Sequence, residues 1–386
     1  MSIYLKDAQS KKSEIDMLDI TCLLFLISMN ISYLLEISQL RNYSVISNIG
    51  KVLIAFGIIN ILFHNFISQN EMMNLSEFLR ILFAIAIGFI AYWQSGGPTL
   101  IKLILFWLGC RGVEENKILK YEIVSLLIGM SIVVIPSLSG FTLARYYKDE
   151  NTFTFGFVNP NNLPMILTAI LISANLLMEE KEKGRFLSLI MQVALVLIIL
   201  HLTNSRSATI VLLVFLFMSL LSINQTGKEI IEKLFYPLPL AFTGLSVISY
   251  LIVRLYRTDD GWLQFTKLLS WRPYLWNKYY RVTPVTLFGN KLDKLGALDN
   301  AYLVLLLQYG VVVLCVYCIA YYFVTSMALK KKRIILLLAI FCYEVFYVFE
   351  FGPILVNVNP IILIYICLNS SSAPNNETGL KKVMEV

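Results

Sequence analysis

The feature that most constrains this chain is the recurrence, along its whole length, of apolar runs long enough to cross a lipid bilayer. A helix needs about 20 apolar residues to span the roughly 30 Å hydrocarbon layer. The runs are continuous rather than alternating, which predicts helices and argues against a β-barrel. Spans are expected near 17–35, 45–67, 78–94, 97–110, 120–140, 162–178, 186–203, 207–224, 235–255, 301–328, 333–350 and 353–368. That is twelve, or eleven given the short fourth run and Pro360 in the last. Composition agrees, because 58% of the 386 residues are hydrophobic and only 15% are charged, against about 25% charged in soluble domains. The expected fold class is an all-α polytopic membrane protein with one integral domain, 1–386. No small-residue cleavage site follows the first apolar run, so that run is read as an uncleaved span.

Charge gives an orientation. Cytoplasmic loops are enriched in Lys and Arg, and placing the N-terminus inside puts Lys11, Lys12, Arg111, Lys117, Lys181, Lys183, Arg185 and the run Lys330 to Arg333 there. Both termini are then cytoplasmic, with a cytoplasmic tail at 369–386. Two outer loops run against the trend, a first at 141–161 and a large one at 256–300. The large loop carries seven cations against four aspartates, a net of +3. Outward cations point to an anionic partner, or to lipid headgroups.

Within the large loop, GWLQFTKLLSWRPYLWNKYY spaces Trp262, Phe265, Leu269, Trp276 and Tyr279 at helical steps. One or two short interfacial helices are expected, interrupted near Pro273, whose ring disfavours the α conformation at Arg272. Arg272 would stand at the break, and its planar fork suits a pyrophosphate. Arg206, in LTNSRSATIV between two spans, needs a partner or an aqueous cavity at that depth, or else snorkels to the surface. In the eleventh run, Glu350 should lie near the outer end, where it could pair with an outer Arg or act as a base. Glu344 is deeper and expected to hydrogen-bond within the bundle. The six cysteines, the pair Cys315 and Cys318 included, read as helix packers rather than metal ligands. Neither GxxxxGK[ST] nor GxGxxG occurs, and no sizeable soluble domain is available for nucleotide chemistry. An ATP-driven transporter and a nucleotide-sugar enzyme with a soluble catalytic domain are excluded.

Four segments, in order, carry a resemblance: FGFVNPNNLPMIL (155–167), LTNSRSATIV (202–211), SWRPYLWNKYY followed by PVTLFGN (270–290), and LDNAYLVLLLQYG (298–310). Arg145 and Gly156 add an R-x10-G spacing. Together they resemble the Wzy-type polysaccharide repeat-unit polymerases of the O-antigen ligase/polymerase superfamily. The resemblance covers about 145–310. Trp271 replaces the family's glycine before the loop arginine, and Asp299 stands where ligases often carry histidine, which favours polymerase over ligase.

The resemblance implies a GT-C-like membrane glycosyltransferase of the bacterial plasma membrane, working on its outer face for capsule, exopolysaccharide or O-antigen. Donor and acceptor would both be undecaprenyl-pyrophosphate-linked glycans, with chain-length control by a partner protein, no nucleic acid, and no cofactor, nucleotide or metal. Arg272, Arg206 and Arg145 would hold the leaving pyrophosphate, supplemented by Lys278 and Arg281. Asp299 is the first candidate base and Glu350 the second. Asn159, Asn161 and Asn300 either bind sugar hydroxyls or cap helices, and loop aromatics such as Trp276 stack on sugar rings or line the lipid entry. The rivals are a ligase-type transferase and a lipid-linked oligosaccharide flippase.

Overall fold

The structure is a computed structural model that describes residues 2–68, 75–146, 149–179, 182–203, 205–292 and 298–370. The expected tail from 371 onward, and the loop residues Asn204, Asp293 and Lys294, lie outside these. Apart from one hairpin, β1 (Arg145–Tyr146) and β2 (Asp149–Phe153), every named element is helical.

The first part of the chain forms α1 (Ser2–Glu36), α2 (Ser44–Ser68), α3 (Leu75–Ser95), α4 (Thr99–Gly109) and α5 (Glu115–Leu138). After the hairpin come α6 (Asn162–Met178), α7 (Glu182–Leu202), α8 (Arg206–Leu221), α9 (Gln225–Leu234) and α10 (Ala241–Leu255). The expected loop helices are present as α11 (Asp260–Leu268) and α12 (Arg272–Val282). The last described elements are α13 (Ala301–Val304), a π-turn at Leu305–Tyr309, α14 (Gly310–Lys330), α15 (Ile334–Phe349) and α16 (Pro360–Ser370).

Among the described residues, six helical segments are long and apolar enough to cross a membrane, and five further apolar helices are shorter. Their outward faces are oily: Trp93, Phe83 and Val52 are each more than half exposed, as expected of side chains that meet lipid rather than water. The interior holds α13, α14, α15 and α16, with Tyr302, Tyr317, Tyr321 and Tyr347 buried around Phe242 and Tyr343 against Tyr347. Their hydroxyls are satisfied inside the bundle. Tyr321 and Tyr347 bond each other, and Asn359 donates to the Tyr347 hydroxyl at 2.6 Å.

The last expected span, 353–368, is not one helix. Residues 352–354 and 356–358 form 3-10 turns, and α-helix resumes only at Pro360. Pro353 and Pro360 cannot donate to an α-helical ladder. Freed carbonyls are met by protein, the Tyr317 hydroxyl donating to that of Ile354 at 3.1 Å and the Tyr343 hydroxyl to that of Val358 at 2.8 Å. Irregular backbone is tolerated at membrane depth on that condition. Glu344 also departs from expectation, since it is buried and neither carboxylate oxygen has a hydrogen-bond partner.

Charge marks the two ends of α15. Just before it, Arg333 bonds Glu115 at 2.8 Å and Glu179 at 3.2 Å, tying α5 and α6 to α15. Just after it stands Glu350, about 24 Å away by helical rise.

The large loop is fastened to the bundle by two glycines. Gly289 and Gly310 have φ of 87° and 88°, and a Cβ on either would overlap the other segment's backbone. This close approach lets Val311 and Val312 donate to the carbonyls of Thr286 and Leu287, and Asn290 to that of Gln308, each at 3.0 Å. The LFGN and LLQYG stretches therefore meet main chain to main chain.

Candidate functional site

The site assembles at the Glu350 end of the bundle. Glu350 follows the last residue of α15, and its Oε1 accepts from Asn161 Nδ2 at 2.8 Å and from Ser207 Oγ at 2.9 Å. Arg272 Nη2 lies 3.8 Å from the same oxygen, and Arg272 Nε lies 3.7 Å from Asp299 Oδ2. The guanidinium carbon sits 5.7 Å from the Phe349 ring centroid. Both carboxylates are thus at ionic rather than hydrogen-bonding distance from Arg272. Arg272 Nε is buried and makes no hydrogen bond, although a buried donor left unmatched costs about 1–3 kcal/mol.

Each of the three residues reaching Glu350 Oε1 sits at a helix N-terminus. Asn161 is the N-cap of α6, Ser207 lies in the first turn of α8, and Arg272 opens α12. None of these N-termini has a side-chain cap, and the α8 N-cap hydroxyl, Ser205 Oγ, is buried without a partner. Uncapped N–H groups at a helix start carry roughly half a positive charge. Three such ends plus Arg272 therefore surround one carboxylate. The arrangement attracts anions.

Protonation follows from burial. Burial pushes the Glu350 carboxyl up to about 7, with nearby Asp299 adding to the shift while the Ser207 bond and Arg272 oppose it. Burial also raises Asp299, against the pull of Arg272. A carboxyl that titrates near neutrality is suited to moving protons.

The backbone that presents Arg272 is strained. Ser270 and Trp271 have φ of 55° and 64°, a left-handed conformation costing about 1–3 kcal/mol per non-glycine residue. It closes α11 as a Schellman motif, with Trp271 N–H on the Thr266 carbonyl and Ser270 N–H on that of Lys267. The break therefore falls at Ser270 and Trp271 rather than at Pro273. Pro273 sits in the first turn of α12, where its missing N–H has no helical acceptor to lose, and Arg272 is already helical.

The remaining expected residues fall in several places. Trp276, one turn beyond Arg272, is 1% exposed and packed inside with Tyr279, so it has no free face for a sugar ring. Asn277, not singled out by the sequence, anchors α12 by donating to the Val253 carbonyl of α10 at 2.7 Å. Lys278 and Arg281 are exposed on α12 and form no ion pair with the cluster among the described residues. Asn300 is fully buried: its Oδ1 caps α13 at Leu303 N–H and its Nδ2 donates to Ser249 Oγ. Asn300 is a cap rather than a sugar ligand. Asn159 is exposed and accepts from the Asn161 backbone N–H at 2.9 Å, which holds Asn161 toward Glu350. Arg206 is exposed beside Ser207, with no ion pair among the described residues. Arg145 lies in the hairpin, 5.3 Å from the Phe153 ring centroid, and has no contact with the cluster among the described residues.

Fold and site together define a membrane-embedded helical protein with a charged cluster at one end of its bundle. No protein family, curated protein or solved structure matches this chain.

Proposed function

We propose that the chain is a membrane glycosyltransferase that polymerises undecaprenyl-pyrophosphate-linked oligosaccharide repeat units on the outer face of a bacterial plasma membrane, with a GT-C-like architecture and both termini cytoplasmic. The observation that carries this reading is the convergence of Arg272, Asp299 and Glu350 with three uncapped helix N-termini. The glycosidic bond to be broken leaves a pyrophosphate, whose developing charge calls for fixed cations and dipoles. Arg272 offers an unmatched N–H, the helix ends offer partial positive charge, and Arg206 lies beside them, unpaired among the described residues.

In the reaction, a hydroxyl of the incoming lipid-linked unit attacks the anomeric carbon of the growing glycan. The bond from that carbon to the pyrophosphate oxygen breaks, and undecaprenyl pyrophosphate departs with the bonding electron pair. The hydroxyl proton passes to a carboxylate. Glu350 takes this role ahead of Asp299, because burial places it near neutrality and because Asn161 and Ser207 fix its orientation. Asp299 then orients Arg272. The test is incubation of purified protein with a synthetic undecaprenyl-pyrophosphate repeat unit. A ladder of longer glycans supports polymerisation, whereas transfer to another lipid or to protein indicates the ligase reading.

A second reading, a lipid-linked oligosaccharide flippase, draws on the buried carboxylates of Glu122, in a candidate span, and Glu344, in a shorter apolar helix. Ionisable groups at such depth frequently mark transport pathways. Movement of the labelled lipid across a vesicle membrane without elongation would favour it.

A further inference from the structure

An apolar groove of about 450 Å³ opens on the flank of the bundle between α3, α4, α14 and α16. Its walls include Ile87, Leu103, Trp107, Val316, Ala320 and Ile366. From Val312 to Ala320 along α14 it runs for about 12 Å by helical rise. A flank that met only bulk lipid would need no concavity.

One end of the groove, at Leu100 and Val312, lies next to the α3–α4 turn and to Tyr309. Gly96 and Gly97 link α3 to α4 there, and the Lys291 stem lies across Gly96, 3.6 Å from where a Cβ would stand. The Tyr309 ring covers Gly97 and stacks on Phe351 with centroids 6.3 Å apart. Phe351 is bonded to Glu350. The stacked rings of Tyr309 and Phe351 thus lead from this turn to the carboxylate that three helix ends surround, and exposed Lys291 lies at the same turn.

We propose that this groove holds the isoprenoid chain of the lipid diphosphate, with Lys291 guiding its phosphates from the groove mouth toward Arg272. The inference rests on reading the substrate as a lipid-linked pyrophosphate. An apolar groove with a lysine at the turn beside one end suits a molecule with the same division, an oily chain with an anionic head. Each buried CH₂ of such a chain contributes about 0.8 kcal/mol.

The test uses the full chain in phosphatidylcholine nanodiscs with undecaprenyl diphosphate bearing a diazirine in its chain. After illumination, the label should fall on peptides from 99–109 and 310–330, and unlabelled undecaprenyl diphosphate should remove it. Ala320→Phe, which fills the groove, should cut labelling at least tenfold, and Ala84→Phe serves if that variant does not fold. Lys291→Gln should weaken competition by the diphosphate severalfold without altering competition by undecaprenol. Equal competition by phosphatidylglycerol, or label spread over the exposed faces of α2 and α10, overturns the proposal. The glycan ladder is scored separately. Groove labelling without a ladder sinks the polymerase reading and leaves the groove, and a ladder without groove labelling does the reverse.

Discussion

Arg272 opens α12 and Glu350 follows the end of α15, yet Arg272 Nη2 lies 3.8 Å from Glu350 Oε1. The gap is too long for a hydrogen bond and short enough for strong attraction in a half-buried setting. The pair holds its geometry while leaving guanidinium N–H groups for an incoming oxygen.

Arg272→Ala should therefore lower polymerisation about 10²–10³-fold, the loss typical of one transition-state donor. Arg272→Lys should rescue little, because an ammonium cannot present two N–H groups in a plane. Ladder formation by folded protein in nanodiscs measures both.

Glu350 sets a pH dependence. With its carboxyl near 7, the basic form is lost as pH falls below neutrality, so the rate should drop on that side. Glu350→Gln should flatten this limb and cost about 10²-fold or more. Ser207→Ala removes a bond that favours the carboxylate, so the midpoint should move up. Stability has the opposite sign. A carboxyl raised by folding contributes stability below its unfolded value that is lost as pH rises through about 7. The thermal midpoint should fall between pH 5 and pH 8, and less so in Glu350→Gln.

The exposed cations of α12 offer a contrast. Lys278→Ala and Arg281→Ala should leave rate and stability nearly unchanged, within about 0.5 kcal/mol for the latter. A hundredfold loss of rate in either would show that the basic face of α12, rather than Arg272, engages the substrate.

At the far end, Arg333 pairs with Glu115 and Glu179, whose side chains are 22% and 13% exposed. Arg333→Ala should cost on the order of 2 kcal/mol, mostly from the two carboxylates left without a cation. Replacing all three with apolar residues of similar volume should recover much of that loss, as read by thermal unfolding in detergent.

Gly289→Ala and Gly310→Ala should each prevent accumulation of folded protein, because the added methyl would collide with backbone that has no room to move. Gly244→Ala, in α10 with nothing within 4 Å of the new Cβ, should be neutral or stabilising by about 0.5–1 kcal/mol. Size-exclusion profiles of the three variants decide this.

Much of the architecture was legible because a membrane span is a local property: length and apolarity suffice. The end of the chain was not. Pro353, Asn357, Asn359 and Pro360 interrupt an apolar run whose average hides them, and only their partners on other helices explain the turns. Asn161, Arg272, Asp299 and Glu350 were individually visible as polar groups in odd places. Their convergence was not, since it depends on which helices pack together. Asn300 takes the capping alternative, and the inward turn of Trp276 was not legible, because composition does not tell which face of a short helix turns inward. Ser207 was visible only as part of a polar turn, and nothing local connects it to Glu350.

The meeting of LFGN with the broken helix at Gly310 has a consequence for how such a chain can diversify. Because the returning segment is welded to the bundle by main-chain bonds, the segment from 256 to 283 behaves like a cassette held at both ends. Its exposed positions can drift in sequence, while Arg272, Trp276 and Asn277 on the inner side of α12 stay tied to the helices beneath.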